Sequence, residues 1–267
     1  MLDAWKNVPL VVIGMLHLPA LPGAPRYGGD LAAIEAAVLR DAEALVAGGV
    51  HGLMLENFGD APFFKSRVPA ATVAHMTALA CAVRRLAPRV PLGINCLRND
   101  GCAAVGVAQA CGAQFVRVNV LSGARVTDQG VIEGIAADLL RLRRSLGADG
   151  IKVMADVDVK HSAPLGAGIE IEDEVDDVVH RGGAQALIVS GAGTGKAADV
   201  NQAARVHAAA GGVPVFVGSG VTADSLPDFR PHVRGVIVGT HFKEAGRVER
   251  PVDADRVRTL VSIAGEM

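Results

Sequence analysis

Short apolar runs alternate with longer amphipathic segments along the whole chain, and this unit repeats eight times. The apolar runs are rich in Val and Ile and contain few charges, which is typical of parallel strands buried on both faces. Each run is followed by a segment long enough for a helix. The predicted strands are Leu10–Leu16, Gly52–Glu56, Leu92–Cys96, Phe115–Val120, Ile151–Asp156, Ala186–Ser190, Pro214–Gly218 and Gly235–Gly239.

The intervening segments carry helix start and stop signals. Asp30 is placed to cap the first helix, which ends at Gly48-Gly49, and similar glycine signals close several later helices. Eight strand–helix units predict an α/β fold, a single (β/α)8 TIM barrel over residues 1–267. A doubly wound open sheet is the alternative, but no G-x-G-x-x-G follows the first strand. The other helices are predicted near 70–86, 101–111, 132–146, 171–181, 199–210, from 222, and near 252–264.

Composition narrows the function classes. Half of the 267 residues are hydrophobic and one fifth are charged, so the chain can bury a large apolar core. The net charge is −2, so neither nucleic acid nor an anionic membrane is an expected partner. The uncharged run from Val8 to Pro25 contains four prolines, which favours a strand and loop over a signal peptide or a membrane-inserted helix. The four cysteines form no C-x-x-C pair, which indicates reduced thiols and a cytoplasmic location.

Polar residues cluster where the predicted strands end. In a TIM barrel these ends form the catalytic face, so this set is the candidate catalytic group. Side chains alternate along a strand, so Arg117 and Lys152 share the inward face with Asn119 and Asp156 and need carboxylate partners. The pattern fits either a buried ion network or a tuned acid–base site. The candidates are His17, Glu56, Asn95, Asn119, Asp156 and Asp158.

Glycine-rich turns close the last two predicted strands. Such turns let backbone N–H groups approach an anion, and the corresponding turns of many barrel enzymes bind phosphate. The turn after the sixth strand brings further small residues to the same edge. The predicted phosphate-binding residues are Ser190, Gly191, Gly218, Ser219, Gly220, Gly239 and Thr240.

Three loops on the same face are longer than strand–helix loops usually are. One of them carries three of the seven phenylalanines, which predicts both a cover over a ligand and a contact between subunits of a homo-oligomer. The residues predicted to cover the ligand are Phe58, Asp60, Lys160 and His161.

Several other motifs lack the residue spacing or position that their usual chemistry requires. The loop from Ser190 to Lys196 departs from the P-loop spacing, and the spacing of Asp156, Asp158 and His161 matches no familiar metal site, so neither a metal nor a cofactor is expected. A Schiff-base lysine is not favoured, because Lys152 is deep in its strand and Lys160 and Lys196 lie on loops.

Three segments resemble the BtpA/SgcQ family: Gly14–Gly23, with His17 and two prolines; Leu55–Phe63, containing Glu-Asn-Phe-Gly-Asp; and Ala186–Gly191. The likeness runs over nearly the whole chain. It implies a barrel similar to the ribulose-phosphate-binding barrels. One branch of the family is named for photosystem I biogenesis and another lies among sugar-metabolism proteins, so the resemblance leaves the substrate open.

The sequence therefore predicts a barrel enzyme acting on a small phosphorylated sugar or nucleoside-like compound. Isomerisation, carbon–carbon lysis and glycosidic cleavage all remain open, with Glu56 and Asp156 as the acid–base pair. On this hypothesis Glu56→Gln or Asp156→Asn abolishes turnover while the fold survives. The alternatives are a non-catalytic assembly factor and a barrel that senses a ligand without converting it.

Overall fold

The computed structural model describes residues 2–166, 168–191 and 198–266. In these residues eight strands pair in parallel and close a barrel, which confirms the predicted TIM-barrel fold. The strands are β1 (Val11–His17), β2 (Gly52–Glu56), β3 (Leu92–Asn95), β4 (Phe115–Val118), β5 (Ala124–Thr127), β6 (Gly130–Glu133), β7 (Lys152–Val157), β8 (Ser162–Pro164), β9 (Ala186–Val189), β10 (Val215–Val217) and β11 (Gly235–Val238). The order around the barrel is β1-β11-β10-β9-β7-β4-β3-β2.

Helices cover the outside of the barrel and bury the outward-facing strand residues in one large apolar core. The first helix begins where the sequence predicts, because the Asp30 carboxylate accepts a hydrogen bond from the Ala33 amide at 2.9 Å. The helices are α1 (Leu31–Ala47), α2 (Ala70–Leu86), α3 (Gly101–Cys111), α4 (Ala136–Ser145), α5 (Ile171–Asp176), α6 (Val200–Ala209), α7 (Leu226–Phe229) and α8 (Ala254–Glu266). A π-helical turn, Asp177–Arg181, continues α5.

The lower interior of the barrel, at the amino ends of the strands, is filled by apolar side chains. Trp5 packs edge-on against Phe115, with 5.4 Å between ring centroids, and lies 6.1 Å from Phe216. Its indole N–H donates to the His51 carbonyl at 2.7 Å, which satisfies the polar atom of this buried ring. This end is a packed core, and the opposite end carries the polar groups.

A small antiparallel sheet beside the barrel was not predicted. It has the order β6-β5-β8 and joins the loop after β4 to the loop after β7. The predicted helix 132–146 is wrong at its start, because Gly130–Glu133 pairs with Ala124–Thr127 and α4 begins at Ala136. Gly130 adopts φ 94° at the hairpin turn, where the Thr127 hydroxyl donates to its carbonyl at 2.9 Å.

Lys152 also departs from the prediction. It is half-buried at the lower end of the barrel beside Leu2 and Trp5, on the end opposite to Glu56 and Asp156, so it needs neither as a partner. The four cysteines are free thiols. Among the described helices, none combines the length and hydropathy that crossing a membrane requires.

Candidate functional site

The inward-facing strand residues form an apolar layer below and a polar layer above. Moving two residues along a strand keeps a side chain on the same face and carries it one layer towards the carboxyl end. The buried methionines of β1, β2 and β7 are therefore followed, two residues later, by polar groups. The pairs are Met15 with His17, Met54 with Glu56, and Met154 with Asp156.

Asp156 lies at the centre of a buried hydrogen-bond network. Its two carboxylate oxygens accept from Arg117 Nη2 at 2.7 Å and Nε at 2.9 Å, from Asn119 Nδ2 at 2.8 Å and from Ser190 Oγ at 2.9 Å. Burial by itself lowers the pKa of Arg117, but the charge of Asp156 outweighs it and the net pKa is raised. The carboxylate is thus fully engaged as the counter-charge of Arg117.

Glu56 is the carboxylate that faces the open end. It is 4% exposed, and Asn95 Nδ2 donates to its Oε2 at 2.6 Å. Its Oε1 lies 3.9 Å from His17 Nε2. Compared with Asp156, this side chain has lone pairs left for a ligand, which is the first requirement of a general acid or base.

His17 is held neutral beside Glu56. Burial, followed by the charges of Lys243 and Lys160, lowers its pKa to about 3. Its ring lies 4.7 Å from that of Phe58, centroid to centroid, and in the described part of the chain Nδ1 has no hydrogen-bond partner. A neutral imidazole can donate from one nitrogen and accept at the other, so it can orient a polar ligand atom without adding charge.

The lowered pKa of His17 predicts acid sensitivity. The unfolded chain protonates this histidine below about pH 6.5 and the folded chain does not, so stability falls as the pH decreases from about 6.5 towards 3. We expect His17→Gln to remove on the order of 3 kcal/mol of this loss at pH 4. Urea unfolding between pH 7 and 4 measures it. His180→Gln, at an exposed histidine, is the control, and parallel pH curves for wild type and His17→Gln would refute the prediction.

A cavity of about 210 Å³ opens at the carboxyl ends of the strands. It brings the predicted acid–base residues His17 and Glu56 together with the glycine turns that follow β10 and β11. Among the described lining residues, the basic side chains of Arg117, Lys160 and Arg256 outnumber the one carboxylate, which suits an anionic ligand. The lining residues are Met15, His17, Glu56, Arg117, Lys160, Gly218–Thr222, Val238–His241, Gly246 and Arg256.

The glycine turns leave backbone donors at the cavity wall. In the described part of the chain, the N–H groups of Ser219, Gly220, Gly239 and Thr240 have no protein acceptor. Gly220 adopts φ 70°, which favours glycine. A Cβ on Gly239 would lie 2.5 Å from Cε1 of His17, so the close approach of the imidazole to this turn requires glycine. Together the two turns form a concave surface suited to an oxyanion.

Lys160 lies in the wall of the same cavity, although it comes from the loop after β7. Burial and then the charge of Arg117 lower its pKa, while Glu56 and Asp156 act in the opposite direction. Arg98, itself buried, donates from Nη2 to the Lys160 carbonyl at 2.5 Å and so holds the loop in place.

A family model described as the BtpA family matches residues 9–266. The chain belongs to the BtpA family. An uncharacterised protein of Thermococcus kodakarensis is 47% identical over 263 residues, which is 98% of this chain and 97% of that protein. The photosystem I biogenesis protein BtpA of Synechocystis is 42% identical over 255 residues, which is 96% of this chain and 88% of that protein.

Solved structures with this fold include enzymes. N-(5'-phosphoribosyl)anthranilate isomerase from Pyrococcus furiosus has a TM-score of 0.58 at 13% identity, covering 97% of this chain and all of its own. KGPDC from Streptococcus mutans has a TM-score of 0.58 at 13% identity, covering 96% and 98%. At such identities the likeness shows that this BtpA-family chain shares their barrel fold.

Some predicted site residues lie elsewhere in this BtpA-family barrel. Asp158, predicted as catalytic, pairs with Arg125 and accepts from Gln202 at 2.7 Å, outside the cavity wall. Its backbone has φ 51°, which separates its side chain from that of Asp156. Asp156 and Asp158, two residues apart in the sequence, therefore belong to different hydrogen-bond networks. Among the described residues, no three His, Cys, Asp or Glu side chains lie close enough together to bind a metal ion.

Other predicted residues brace loops or neighbouring turns. Asp60 accepts from the Leu21 amide at 2.8 Å and from Asn57 at 3.2 Å, so it joins the loops after β1 and β2. Ser190 belongs to the Asp156 network, and the Gly191 amide donates to Ser219 Oγ at 2.9 Å. His161 is exposed. Lys196 and the rest of 192–197 lie outside the described residues.

The sequence analysis did not identify Arg98 or Arg256 as a residue of the site. Arg98 follows the tip of β3, and its charge so near Asn95 is the signal that marks it. Arg256 lies in the first turn of α8, an ordinary surface helix, and its Nε donates to the His241 carbonyl at 2.6 Å. Nothing in the helical pattern distinguishes it, because its place in the cavity wall depends on how α8 packs across the end of the barrel.

Proposed function

We propose that this BtpA-family protein is an enzyme that binds a small phosphorylated sugar or a related metabolite and transfers a proton on it with Glu56. The observation that carries the proposal is the shared cavity. Two glycine turns, whose amides have no acceptor among the described residues, line one part of it, and Glu56 lines another. Such a cavity anchors one end of a small anion and presents the other end to a carboxylate.

The phosphate group is assigned to the turns after β10 and β11. Ser219, Gly220, Gly239 and Thr240 would donate backbone N–H groups to its oxygens. Arg256 supports the same position with positive charge, since it also lines the cavity. Of the predicted phosphate residues, Ser190 and Gly191 are better described as supports, because their donors are used within the protein.

The geometry favours proton transfer over glycosidic cleavage. Cleavage between sugars uses two carboxylates on opposite sides of the bond. Here Asp156 is saturated by four hydrogen bonds and Glu56 is the carboxylate in the described cavity wall. One carboxylate with nearby cations suits removal of a proton beside a carbonyl, because the cations stabilise the negative charge that develops. Isomerisation begins with that step, and carbon–carbon lysis generates the same kind of enolate when the bond breaks and then protonates it.

Phosphate binding is testable without a known substrate. We expect inorganic phosphate, ribose 5-phosphate or dihydroxyacetone phosphate to raise the melting temperature. A ligand at 100 times its Kd adds about 2.7 kcal/mol to the free energy of unfolding. Thr240→Asp places a carboxylate at the turn after β11, and should remove the shift by charge repulsion. Differential scanning fluorimetry measures it.

Thr259→Asp is the matched control for that experiment, because Thr259 is exposed on α8 and the change in charge is identical. It should keep the full shift. If phosphate leaves the melting temperature of the wild type unchanged, or if both variants respond alike, the glycine turns do not bind phosphate.

A second candidate is a non-catalytic assembly factor. The observation in its favour is the 42% identity to a relative named for photosystem I biogenesis. Phe64, in the loop after β2, is 58% exposed and offers an apolar contact. This alternative predicts that Glu56→Gln leaves function intact and that no sugar phosphate is consumed. A ligand-sensing barrel predicts binding without consumption.

A further inference from the structure

Two lysines are largely enclosed at the catalytic end of the barrel, and they differ in whether a carboxylate pairs with the amine. Lys243 is 2% exposed and its Nζ lies 2.5 Å from the Asp41 carboxylate, so it is a paired, structural cation. Lys160 lines the cavity, and within the described residues no carboxylate lies within ion-pair distance of it. The Lys160 amine is therefore left available to a ligand in the cavity.

The backbone around Lys160 is fixed on both sides. Arg98 donates to the carbonyl of Lys160, and Ser162 Oγ donates to the carbonyl of Val159 at 2.5 Å. The Asp158 amide donates to Glu174 at 3.0 Å. These hydrogen bonds fix the backbone on both sides of Lys160, so its side chain starts from a defined position although the residue lies on a loop.

The charges around Lys160 favour the neutral amine. Burial, Arg117 and Arg98 lower its pKa, and the opposing carboxylates Glu56 and Asp156 are engaged by Asn95 and Arg117 respectively. A neutral amine is a nucleophile, whereas an ammonium ion is not. Lysines that react with carbonyl compounds are commonly of this kind.

We propose that Lys160 is a Schiff-base lysine, whose Nζ condenses with the carbonyl carbon of a phosphorylated aldehyde or ketone. This inference rests on the proposed function, in which the glycine turns hold the phosphate, and it narrows the substrate class to carbonyl compounds. The anchored phosphate places the carbonyl between Lys160 and Glu56, which lie in the same cavity wall.

The chemistry balances with the groups present. Nζ attacks the carbonyl carbon and forms a C–N bond, and one N–H proton passes to the carbonyl oxygen to give a carbinolamine. The Glu56 carboxylate takes up one proton from solvent water and gives it to the hydroxyl, the C–O bond breaks, and water leaves. The iminium ion that results loses its N–H or a neighbouring C–H proton to the Glu56 carboxylate. No electrons are transferred to or from an outside reagent.

Reductive trapping tests the proposal on the full-length protein. Dihydroxyacetone phosphate is added with sodium cyanoborohydride, which reduces an imine to a stable amine, and the labelled lysines are located by peptide mass spectrometry. The expected adduct adds the mass of the probe less one oxygen atom. We expect labelling of Lys160 to exceed that of the exposed Lys65 by at least about tenfold at neutral pH.

Two variants and one competitor separate the outcomes. Lys160→Arg keeps a long basic side chain but removes the nucleophilic amine and should lose the adduct, whereas Lys152→Arg, at the other end of the barrel, should keep it. Inorganic phosphate should suppress labelling. A phosphate-dependent rise in melting temperature with no adduct at Lys160 overturns this inference and leaves the proposed function standing. An adduct at Lys160 that phosphate does not suppress supports the imine and refutes the phosphate anchor. Equal labelling of Lys65 and Lys160 overturns the inference, and this comparison needs no variant to fold.

Discussion

Glu56→Gln is expected to slow any proton transfer that this protein catalyses by about 100- to 10,000-fold. Glutamine has almost the same shape and can still accept the hydrogen bond from Asn95, but its amide cannot act as a general acid or base at neutral pH. The measurement is solvent deuterium incorporation into dihydroxyacetone phosphate and a panel of pentose phosphates, followed by NMR. The phosphate-dependent melting shift should persist in this variant, because the glycine turns are untouched.

Glu133→Gln is the matched control, since Glu133 is an exposed carboxylate on the hairpin and the change is chemically identical. It should retain the wild-type rate. Retention of the full rate by a folded Glu56→Gln variant would remove Glu56 from the mechanism. If the wild type itself neither binds nor converts any member of the panel, the enzyme proposal fails and the assembly-factor alternative gains.

Asp156→Asn is expected to destabilise the fold strongly, lowering the free energy of unfolding by about 3–5 kcal/mol. The change leaves Arg117 buried and charged without its counter-ion, and it also disturbs the bonds from Asn119 and Ser190. The structure therefore revises the expectation from sequence that this variant stays folded and simply loses turnover. Urea unfolding at neutral pH, monitored by circular dichroism, measures the loss.

Two comparisons isolate the cause of that destabilisation. Asp149→Asn removes an exposed ion pair with Arg144, at 2.8 Å, and should cost nothing measurable because solvent already screens it. The double variant Arg117→Met with Asp156→Asn removes both charges and should recover part of the lost stability. An Asp156→Asn single variant as stable as the wild type would show that the Arg117–Asp156 ion pair does not stabilise the fold.

The sequence predicted best those features that depend on residues close together along the chain. Strand and helix positions depend on local periodicity and on signals such as the Asp30 cap, and these were correct to within a few residues. The hairpin at Ala124–Glu133 was missed because short strands beside a helix start resemble the helix pattern. Its third strand, β8, comes from a separate loop, so no local signal reveals the pairing.

The candidate site shows the same division. Two-residue alternation placed Glu56 and Asp156 on the inward face, but it treated them as equivalent. The structure distinguishes them, because Arg117 and Asn119 from β4 and its end, and Ser190 from the end of β9, converge on Asp156, while Asn95 and His17 accompany Glu56.

The sequence by itself determined that this chain is a barrel, which of its ends is polar, and that glycine turns follow the last two strands. Those properties come from period, composition and turn chemistry, each read from neighbours along the chain. Only the tertiary structure decided that Lys160 reaches the cavity, that Asp158 does not, and that Asp156 is saturated. Hydrogen bonding, burial and charge pairing depend on distances between residues remote in sequence, and closure of the barrel sets those distances.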